Sequence, residues 1–463
     1  MNCKKQKEIL EQHGQGHVLR FFDKLDEAGQ TALLQQIDNL DFASIERMRD
    51  MLAAKLSGKA ASASSSELEP AHVEELSGED LAAAKKRGEE ELRAGKVGVV
   101  LVAGGQGSRL GFNGPKGAYP IGPITDNPLF YFHARKLLAL EKAYGKPVPF
   151  YIMTSETNDA ATRECFASHG NFGLARENVF FFKQGMWPAL DPDGKIILDA
   201  PGHIFMSPDG HGGTLSAMLA SGAIADMEKR GLSTLFYFQV DNPMVDVASP
   251  SFIGCHLLQK ADISIKVCAK RDPQEGLGMV IARNGRCEMV EYTEFTDEQK
   301  NRRRENGDLY YKFGSVAIHV FDFGFLKRET TANMPLHIAH KKIAVCADDG
   351  TVVKATEPNG YKFEKFIFDV LPDAGKVANV AFDRSEEFSP VKNAEGNDSP
   401  ATCKHDLMAK WSRWLEKAGV AIPEGGLIEI DPAYANDAEE LAARFAKDGV
   451  PAFRDGKLLL VRK

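Results

Sequence analysis

Two positively charged side chains follow a glycine-rich turn in the segment VGVVLVAGGQGSRLGFNGPKG, residues 97–117. Its first seven residues are apolar and rich in β-branched side chains, which predicts a buried parallel strand. Glycines directly after a strand let the backbone turn tightly and present N–H groups to an anion. Arg109 and Lys116 add two cations, so we expect a loop that binds a polyphosphate whose charge changes during a reaction. The residues expected to line this nucleotide loop are Gly104, Gly105, Gln106 and Gly107.

The spacing argues against two common phosphate-binding loops. A dinucleotide-binding fingerprint needs a third glycine where this chain has Leu110. A Walker A loop needs glycine before its lysine, and Pro115 precedes Lys116 here. A glycine-rich turn that binds nothing remains the alternative.

Composition limits the classes of function. The 463 residues are 43% hydrophobic, enough for a full core and about two to four domains. A formal net charge of −8 argues against nucleic-acid and anionic membrane partners. The N-terminus has no apolar signal region, and seven scattered cysteines fit reduced thiols. We therefore expect a cytoplasmic protein.

Three regions are predicted along the chain. Residues 1–93 form a helical N-terminal segment, with apolar faces around Leu33 and Ile45, an N-cap at Asp41 and a small, polar linker at 57–70. Residues 94–395 form the catalytic domain, and residues 396–463 a small C-terminal α/β domain.

Alternating strand and helix patterns in the middle region predict a Rossmann-like, mostly parallel sheet flanked by helices. The predicted strands lie at 97–103, 149–155, 179–182 and 235–241, and the helices near 129–143 and 157–169. Ligands in such sheets bind beyond the carboxyl ends of the strands.

Polar residues follow two of these strands. Gln184 comes after strand 179–182, and its amide can donate and accept hydrogen bonds at once, as an imide edge requires. Asp241 ends strand 235–241, where a buried carboxylate needs a partner. A divalent cation bridging nucleotide phosphates is one such partner, and a cap on the next turn is the alternative.

The motifs GGQGSRLG and PKG resemble the signature of UDP-sugar pyrophosphorylases, with Ser108 in place of the usual threonine. QGMWPA, PDGHGG, VDN, AHKKI, NGYKFEKFIFD and EFSPVKN are similar to further motifs of this family. The last long matches resemble its eukaryotic-type UDP-N-acetylglucosamine branch. The resemblance extends from about residue 20 to about residue 410, and it implies the nucleotidyltransferase fold.

The resemblance also implies roles for nucleotide-binding residues. Gln184 would read the uracil edge, and Gly210 and His211 would lie against the uridine and the α-phosphate. Lys392 would join Arg109 and Lys116 as a catalytic cation. Asp241 would hold Mg²⁺ or Mn²⁺. His211 stands where the N-acetylglucosamine branch usually has asparagine, and it could donate to a phosphate or simply pack.

For the sugar, the resemblance implies contacts to a pocket. Ser315 stands where the branch has an asparagine, which is a departure from the pattern. A β-hairpin across Asn284-Gly285 would carry part of this pocket. Phe366 and Phe368 are expected to alternate on one strand face. The implied sugar-binding residues are Gly278, Glu291, Ser315, Lys362, Phe366 and Phe368.

The sequence therefore predicts a uridylyltransferase that makes a UDP-sugar and pyrophosphate from UTP and a sugar 1-phosphate. N-acetylglucosamine 1-phosphate is the first choice of sugar, and glucose or galactose 1-phosphate is the alternative. A non-catalytic UDP-sugar-binding protein and a dinucleotide oxidoreductase are alternatives from other classes. We expect a monomer or a weak homo-oligomer.

Overall fold

The computed structural model describes residues 3–58 and 68–462. Most of the predicted linker, residues 59–67, lies outside the described residues. Contacts between Cα atoms divide the chain into two compact units. The first unit is Met1–Ser66, Gln184–Thr214 and Asn333–Asp369, and the second is Glu67–Lys183, Leu215–Ala332 and Val370–Lys463. The domain boundaries that the sequence predicts, at residues 94 and 395, are not tested by this division and stay a prediction.

Helices are spread along the whole described chain, and none of those described is long and apolar enough to cross a membrane. In chain order the α-helices are α1 Lys4–Gln12, α2 Glu27–Asp38, α3 Phe42–Leu56, α4 Gly78–Arg93, α5 Leu129–Tyr144, α6 Asp159–Ser168, α7 Thr214–Ala220, α8 Ala223–Lys229, α9 Pro250–Gln259, α10 Asp297–Asn301, α11 Phe323–Glu329, α12 Arg384–Glu387, α13 Pro400–Lys417 and α14 Ala438–Asp448.

The strands form one large sheet and several two-stranded sheets. In chain order they are β1 Glu69–Pro70, β2 Val97–Val102, β3 Phe150–Thr154, β4 Val179–Lys183, β5 Met186–Pro188, β6 Leu198–Ala200, β7 His203–Ile204, β8 Met206–Pro208, β9 Thr234–Gln239, β10 Ile263–Ala269, β11 Gly278–Arg283, β12 Arg286–Val290, β13 Phe313–Asp322, β14 His337–Lys341, β15 Val345–Cys346, β16 Val352–Val353, β17 Gly360–Glu364, β18 Val377–Ala381, β19 Leu427–Ile430 and β20 Lys457–Leu460.

The large sheet of the second unit has the predicted parallel core. Strands β4, β3, β2 and β9 lie side by side and parallel, in that order. β2 and β3 are almost wholly buried because helices cover the sheet, which explains their continuous apolar sequences. The prediction of an α/β fold around a largely parallel central sheet is confirmed.

Antiparallel strands extend this sheet beyond β9. β10 pairs with β13 along nearly its whole length, whereas β9 pairs with residues 319–322 of β13 and β11 with residues 314–315. The predicted hairpin joins β11 to β12, with positive φ at both Asn284 and Gly285, as a type I′ turn requires. β1 pairs with β11, so the last two residues of the predicted linker form a strand instead.

The first unit has its own core. The predicted helical faces of α2 and α3 are buried, including Leu33 and Ile45, and the Asp41 carboxylate caps α3 by accepting from Ser44 N at 3.3 Å. These faces pack with Leu190, Ile204 and Phe363 from the strands of the same unit. The helical N-terminal segment is therefore part of a larger folded unit.

The C-terminal α/β segment belongs to the second unit. β19 and β20 pair in parallel, and α13 and α14 share their core. The Arg135 side chain of α5 donates from Nε to Asp431 Oδ1 at 2.9 Å, directly after β19. This ion pair ties the tail to the helix that follows the nucleotide loop.

Helices α4 and α9 of the second unit approach so closely that glycine is required at their crossing. A Cβ placed on Gly88 would overlap the Pro250 carbonyl oxygen, and one placed on Gly254 would overlap the Ala84 carbonyl oxygen. The obstacle in each case is backbone, which cannot rotate away as a side chain can.

We therefore expect Gly88→Ala to lower the free energy of unfolding by about 1–3 kcal/mol, the usual cost of overpacking. Chemical denaturation measures this. Gly16→Ala is the matched control, because a Cβ there meets only the Glu11 side chain at an ordinary 3.6 Å. Equal stability of the two variants would contradict this account of the helix crossing.

Candidate active site

The nucleotide loop lies at the carboxyl end of β2 and closes on itself. Lys116 N donates to Gly105 O at 3.0 Å, and Gly107 N donates to Gly114 O at 2.9 Å. Asn158, at the start of α6, fixes the beginning of the loop by donating from Nδ2 to Ala103 O at 2.8 Å. The exposed backbone of Gly105 and Gln106 is thus held in one conformation before any ligand arrives.

Two glycines of this loop are required by close contacts. A Cβ on Gly107 would lie 2.8 Å from the Phe112 ring, and Gly111 has φ of +68°. These glycines are therefore needed for the path of the loop as well as for access to an anion.

The structure brings Lys116 together with Asp241, which follows β9. Lys116 Nζ lies 3.8 Å from Asp241 Oδ2, and the two side chains are only 18% and 13% exposed. Arg109 is exposed and forms no ion pair within the described part of the chain. The loop thus carries one cation fixed by a carboxylate and one directed to solvent.

The turn after β9 holds the segment that leads to Lys392. Asp241 O accepts from Val391 N at 2.8 Å. The Asn242 amide donates to Glu387 O at 2.7 Å and accepts from Ser389 N at 3.2 Å. We call these contacts the β9 clamp. They place residues 387–391 against the strand end that carries Asp241.

Two buried lysines hold this turn through hydrogen bonds and an ion pair. Lys136 of α5 donates to Pro243 O at 2.5 Å and to Val245 O at 2.6 Å. Burial lowers the pKa of Lys136 to about 7. Lys266 of β10 forms a buried ion pair with Glu387.

Lys392 itself is held by its backbone. Its N–H donates to Asp398 O at 2.7 Å, and its Nζ lies 5.8 Å from the centre of the Phe388 ring. Arg271 donates to the Asp398 carboxylate at 2.9 Å. The lysine is therefore presented on a turn that is fixed at both ends.

Three predicted sugar-binding residues of the second unit are also neighbours. Gly278 of β11 pairs with Ser315 of β13, and a Cβ on Gly278 would lie 3.7 Å from Glu291 Oε1. Ser315 is buried. Glu291 and Ser315 thus lie beside Gly278, where a Cβ would come within 3.0 Å of Met289 Sδ.

In the first unit, Gln184 and the second glycine loop are hydrogen-bonded. Gln184 Nε2 donates to Gly210 O at 2.8 Å. Gly212 N donates to Lys365 O at 2.9 Å, and a Cβ on Gly212 would lie 2.7 Å from the Phe366 backbone. This loop therefore needs glycine to approach the segment after β17.

His211 packs against two aromatic rings. Its ring is stacked on Phe366, with centroids 5.3 Å apart, and lies 5.8 Å from Phe368. Burial lowers the pKa of His211 to about 4, so the ring is neutral at pH 7. Its Nδ1 accepts from Ile367 N at 3.2 Å, so the proton is on Nε2.

The expectation that Phe366 and Phe368 share a strand face is wrong. β17 ends at Glu364, and a 3₁₀ turn spans Ile367–Asp373. The chain turns here because the Asp369 carboxylate accepts from Phe366 N at 3.2 Å. Both rings still meet His211, and His337 stacks on Phe366 at 4.1 Å.

Lys362 has different neighbours. It lies on β17, opposite Ala339 of β14, and its Nζ is 5.1 Å from the centre of the Phe205 ring. It is not a member of the stack formed by His211, Phe366 and Phe368.

Among the residues that the structure describes, no group of three or more histidine, cysteine or acidic side chains could hold a metal ion. Asp241 is a single carboxylate. One carboxylate completed by substrate phosphates and water is a common way to bind Mg²⁺, so Asp241 fits the group that the sequence implies.

Sequence reasoning missed several residues that shape these sites. Asn242 stands inside the VDN motif, and Asp209 inside PDGHGG, but only the fold shows what their side chains contact. Asn158 has no local signal, because it reaches the nucleotide loop from another part of the chain.

The chain is similar to known UDP-sugar pyrophosphorylases in sequence. The model of the UTP–glucose-1-phosphate uridylyltransferase family matches residues 46–451. A human UDP-N-acetylhexosamine pyrophosphorylase-like protein 1 is 37% identical over 89% of this chain and 85% of its own length. The UDP-N-acetylglucosamine pyrophosphorylase of Saccharomyces cerevisiae is 34% identical over 94% of this chain and 96% of its own.

A solved structure has the same fold over nearly the whole chain. The uridine diphosphate N-acetylglucosamine pyrophosphorylase of Trypanosoma brucei, in complex with an inhibitor, superposes with a TM-score of 0.83 and 26% identity, covering 99% of this chain and 98% of that one. With the family model matching most of its length, the chain belongs to the UTP–glucose-1-phosphate uridylyltransferase family.

Proposed function

We propose that this protein transfers a uridylyl group from UTP to a sugar 1-phosphate, forming a UDP-sugar and pyrophosphate. The observation that carries the proposal is the meeting of Lys116, Asp241 and the Lys392 segment at the carboxyl ends of β2 and β9. A rigid, glycine-rich loop with two cations lies at the same edge. Such an arrangement suits a reaction in which phosphate charge is redistributed.

A phosphate oxygen of the sugar 1-phosphate attacks the α-phosphorus of UTP in line, and the bond to the β-phosphate oxygen breaks. The nucleophile is already an anion, so a general base is not required. Arg109 and Lys116 stabilise the charge that develops on pyrophosphate, and Lys392 stabilises the transferring phosphate. Catalysis then consists of positioning and charge neutralisation.

Asp241 is the residue that would hold a divalent cation, Mg²⁺ or Mn²⁺. The cation would neutralise charge on the nucleotide phosphates. The Lys116 ammonium lies 3.8 Å from the Asp241 carboxylate and offsets part of its charge.

For the sugar, N-acetylglucosamine 1-phosphate is our first choice. The yeast and trypanosomal relatives are both named as pyrophosphorylases of this sugar nucleotide, which supports the choice. The residues proposed to contact the sugar are Gly278, Glu291, Ser315, Phe366 and Phe368. Lys362 remains a weaker candidate because its ammonium packs on Phe205. His211 and Ser315 keep glucose 1-phosphate as the second candidate.

We place this activity in the cytoplasm. All seven cysteines are within the described residues, and all are free thiols. This fits a reducing compartment.

The direct test is pyrophosphate release from UTP and Mg²⁺ with a panel of sugar 1-phosphates: N-acetylglucosamine, N-acetylgalactosamine, glucose and galactose. We expect kcat/KM for N-acetylglucosamine 1-phosphate to exceed that for glucose 1-phosphate by at least about 10-fold, because a site that binds the N-acetyl group leaves polar atoms unpaired without it. Equal values would contradict the choice of sugar.

The same panel separates the other classes of function. Tight UDP-sugar binding without pyrophosphate release from any sugar would indicate a non-catalytic binding protein. Bound nicotinamide cofactor with no need for a divalent cation would indicate an oxidoreductase.

Replacing Arg109 tests the role of the exposed cation. We expect Arg109→Ala to lower kcat by on the order of 10²-fold or more, as loss of a preorganised charge donor does. Steady-state kinetics measures this, with Arg93→Ala as control, since Arg93 lies on α4 and contacts Glu89 on the same helix and the Tyr144 ring of α5. Near-normal turnover of Arg109→Ala would refute its catalytic role.

Replacing Asn242 tests the β9 clamp. Asn242→Ala leaves Ser389 N–H and Glu387 O without their partner, at a cost of about 1–3 kcal/mol. We expect kcat to fall about 10-fold with a smaller change in KM, since Lys392 would be displaced. Asn301→Ala on the exposed α10 is the control. Unchanged kcat in a folded Asn242→Ala protein would show that the clamp does not position Lys392.

A further inference from the structure

Asp209 is a buried carboxylate in the second glycine loop. The residue is 3% exposed, and its Oδ1 has no hydrogen-bond partner among the described residues. Burial raises the pKa of Asp209 to about 7. A buried acidic group without a salt bridge is costly, so its surroundings should explain what it does.

The strand pairing of the first unit places Asp209 beside Gln184. β5 and β8 pair in antiparallel fashion, with Met186 opposite Pro208. The next residues continue the ladder, since Asp209 N donates to Gly185 O at 3.1 Å. Gln184, just before β5, is therefore fixed next to Asp209, just after β8.

Two glycines leave room for the carboxyl group. A Cβ on Gly185 would lie 2.6 Å from Asp209 Oδ2, and one on Gly213 would overlap the same carboxyl group. A side chain at either position would push the carboxyl group away. The two glycines thus leave the space that the Asp209 carboxyl group occupies.

Both neighbours of the Gln184 amide are acceptors. Its Nε2 donates to Gly210 O at 2.8 Å, and the Asp209 carboxyl group lies beside the amide, where Gln184 favours the ionised form. A carbonyl oxygen and an ionised carboxylate can only accept. The amide nitrogen therefore faces Gly210 O, the adjacent carboxylate favours the same orientation, and the amide oxygen Oε1 points away from Gly210 O.

We propose that Asp209 is a positioning residue that holds the Gln184 amide with its oxygen presented to the nucleotide base, so that the protein selects uracil over cytosine. The inference rests on the proposed function, in which Gln184 reads the base. Uracil has a single N–H donor on its pairing edge, at N3, which can donate to Oε1. Cytosine has an acceptor at N3, so two lone pairs would face each other.

This role changes the expectation for Gln184. Sequence reasoning assigned donor and acceptor together to the base. With the amide nitrogen directed to Gly210 O and the Asp209 carboxylate beside it, the side chain offers its oxygen to the base as an acceptor. Specificity then arises from one hydrogen bond whose direction cannot reverse while Asp209 is ionised.

The charged group that faces Asp209 is Lys365, just after β17. Its backbone N–H donates to Asp209 O at 2.8 Å, and its charge favours the ionised carboxylate. Its Nζ lies 4.8 Å from the centre of the Trp187 ring. His211 on the same loop is neutral. Protonation of Asp209 would let its O–H donate to Gln184 Oε1, and the amide could then turn over.

The test is the ratio of kcat/KM for UTP to that for CTP, measured by pyrophosphate release with N-acetylglucosamine 1-phosphate. Asp209→Asn keeps the shape of the side chain but can donate as well as accept. We expect this ratio to fall at least about 10-fold, through a higher KM for UTP and a lower one for CTP, with kcat at saturating UTP changed less. Asp193→Asn, on an exposed turn of the same unit, is the matched control.

Each outcome is decisive. A wild-type protein that transfers no uridylyl group to any sugar would refute the proposed function. A wild-type protein that is active, with an Asp209→Asn variant that keeps the UTP-to-CTP ratio, would refute the positioning role alone.

A second measurement does not depend on how the variant folds. In the wild-type protein we expect the UTP-to-CTP ratio to fall as the pH is lowered through about 7 and to level off above it. A ratio that is flat between pH 6 and 8, within the range where protonation of Asp209 is expected to change, would overturn the proposal.

Discussion

The charged chemistry of the second unit depends on the way the end of β9 holds another segment of the chain. One strand end supplies the Asp241 carboxylate, while its backbone oxygen and the Asn242 side chain bind residues 387–391. Hydrogen bonds of this kind contribute modestly to stability when made and cost more when a buried partner is lost. The clamp therefore fixes one end of the turn that presents Lys392, and Asp398 fixes the other.

The nucleotide loop uses the same principle with different groups. Its path is fixed because the loop bonds to itself through Gly105 and Gly107, and because Asn158 holds its first residues, while Gly105 and Gln106 stay exposed. Preorganised donors of this kind stabilise developing charge without having to reorganise during the reaction. In the first unit the preorganised groups include a fixed amide at Gln184 and a neutral His211 stacked on Phe366.

Sequence predicted the fold well where local patterns decide it. The apolar run of β2, the N-cap at Asp41 and the turn at Asn284-Gly285 depend on a few neighbouring residues, and all three are confirmed. The prediction that Phe366 lies on a strand is wrong. The alternation of Phe366 and Phe368 in the sequence is typical of a strand, but the Phe366 N–H donates to the Asp369 carboxylate in a turn. A single side-chain acceptor was enough to end β17.

The candidate site was predicted in part. The glycines and cations carry short-range signals, and the structure brings Lys116 to Asp241 as strand-end reasoning expects. Asn242 and Asp209 lie inside the same motifs, yet their roles depend on segments more than a hundred residues away, or on a strand pairing. Such side-chain contacts depend on the tertiary fold, and the hydrophobic periodicity of the sequence does not predict them.

The central claim is that this protein makes and breaks the bond between the α- and β-phosphates of UTP. Incubation with UDP-N-acetylglucosamine, Mg²⁺ and isotopically labelled pyrophosphate tests it most directly, because label can enter UTP only through that bond. The account predicts labelled UTP and an equal amount of sugar 1-phosphate. Binding of the UDP-sugar without any labelled UTP would contradict it.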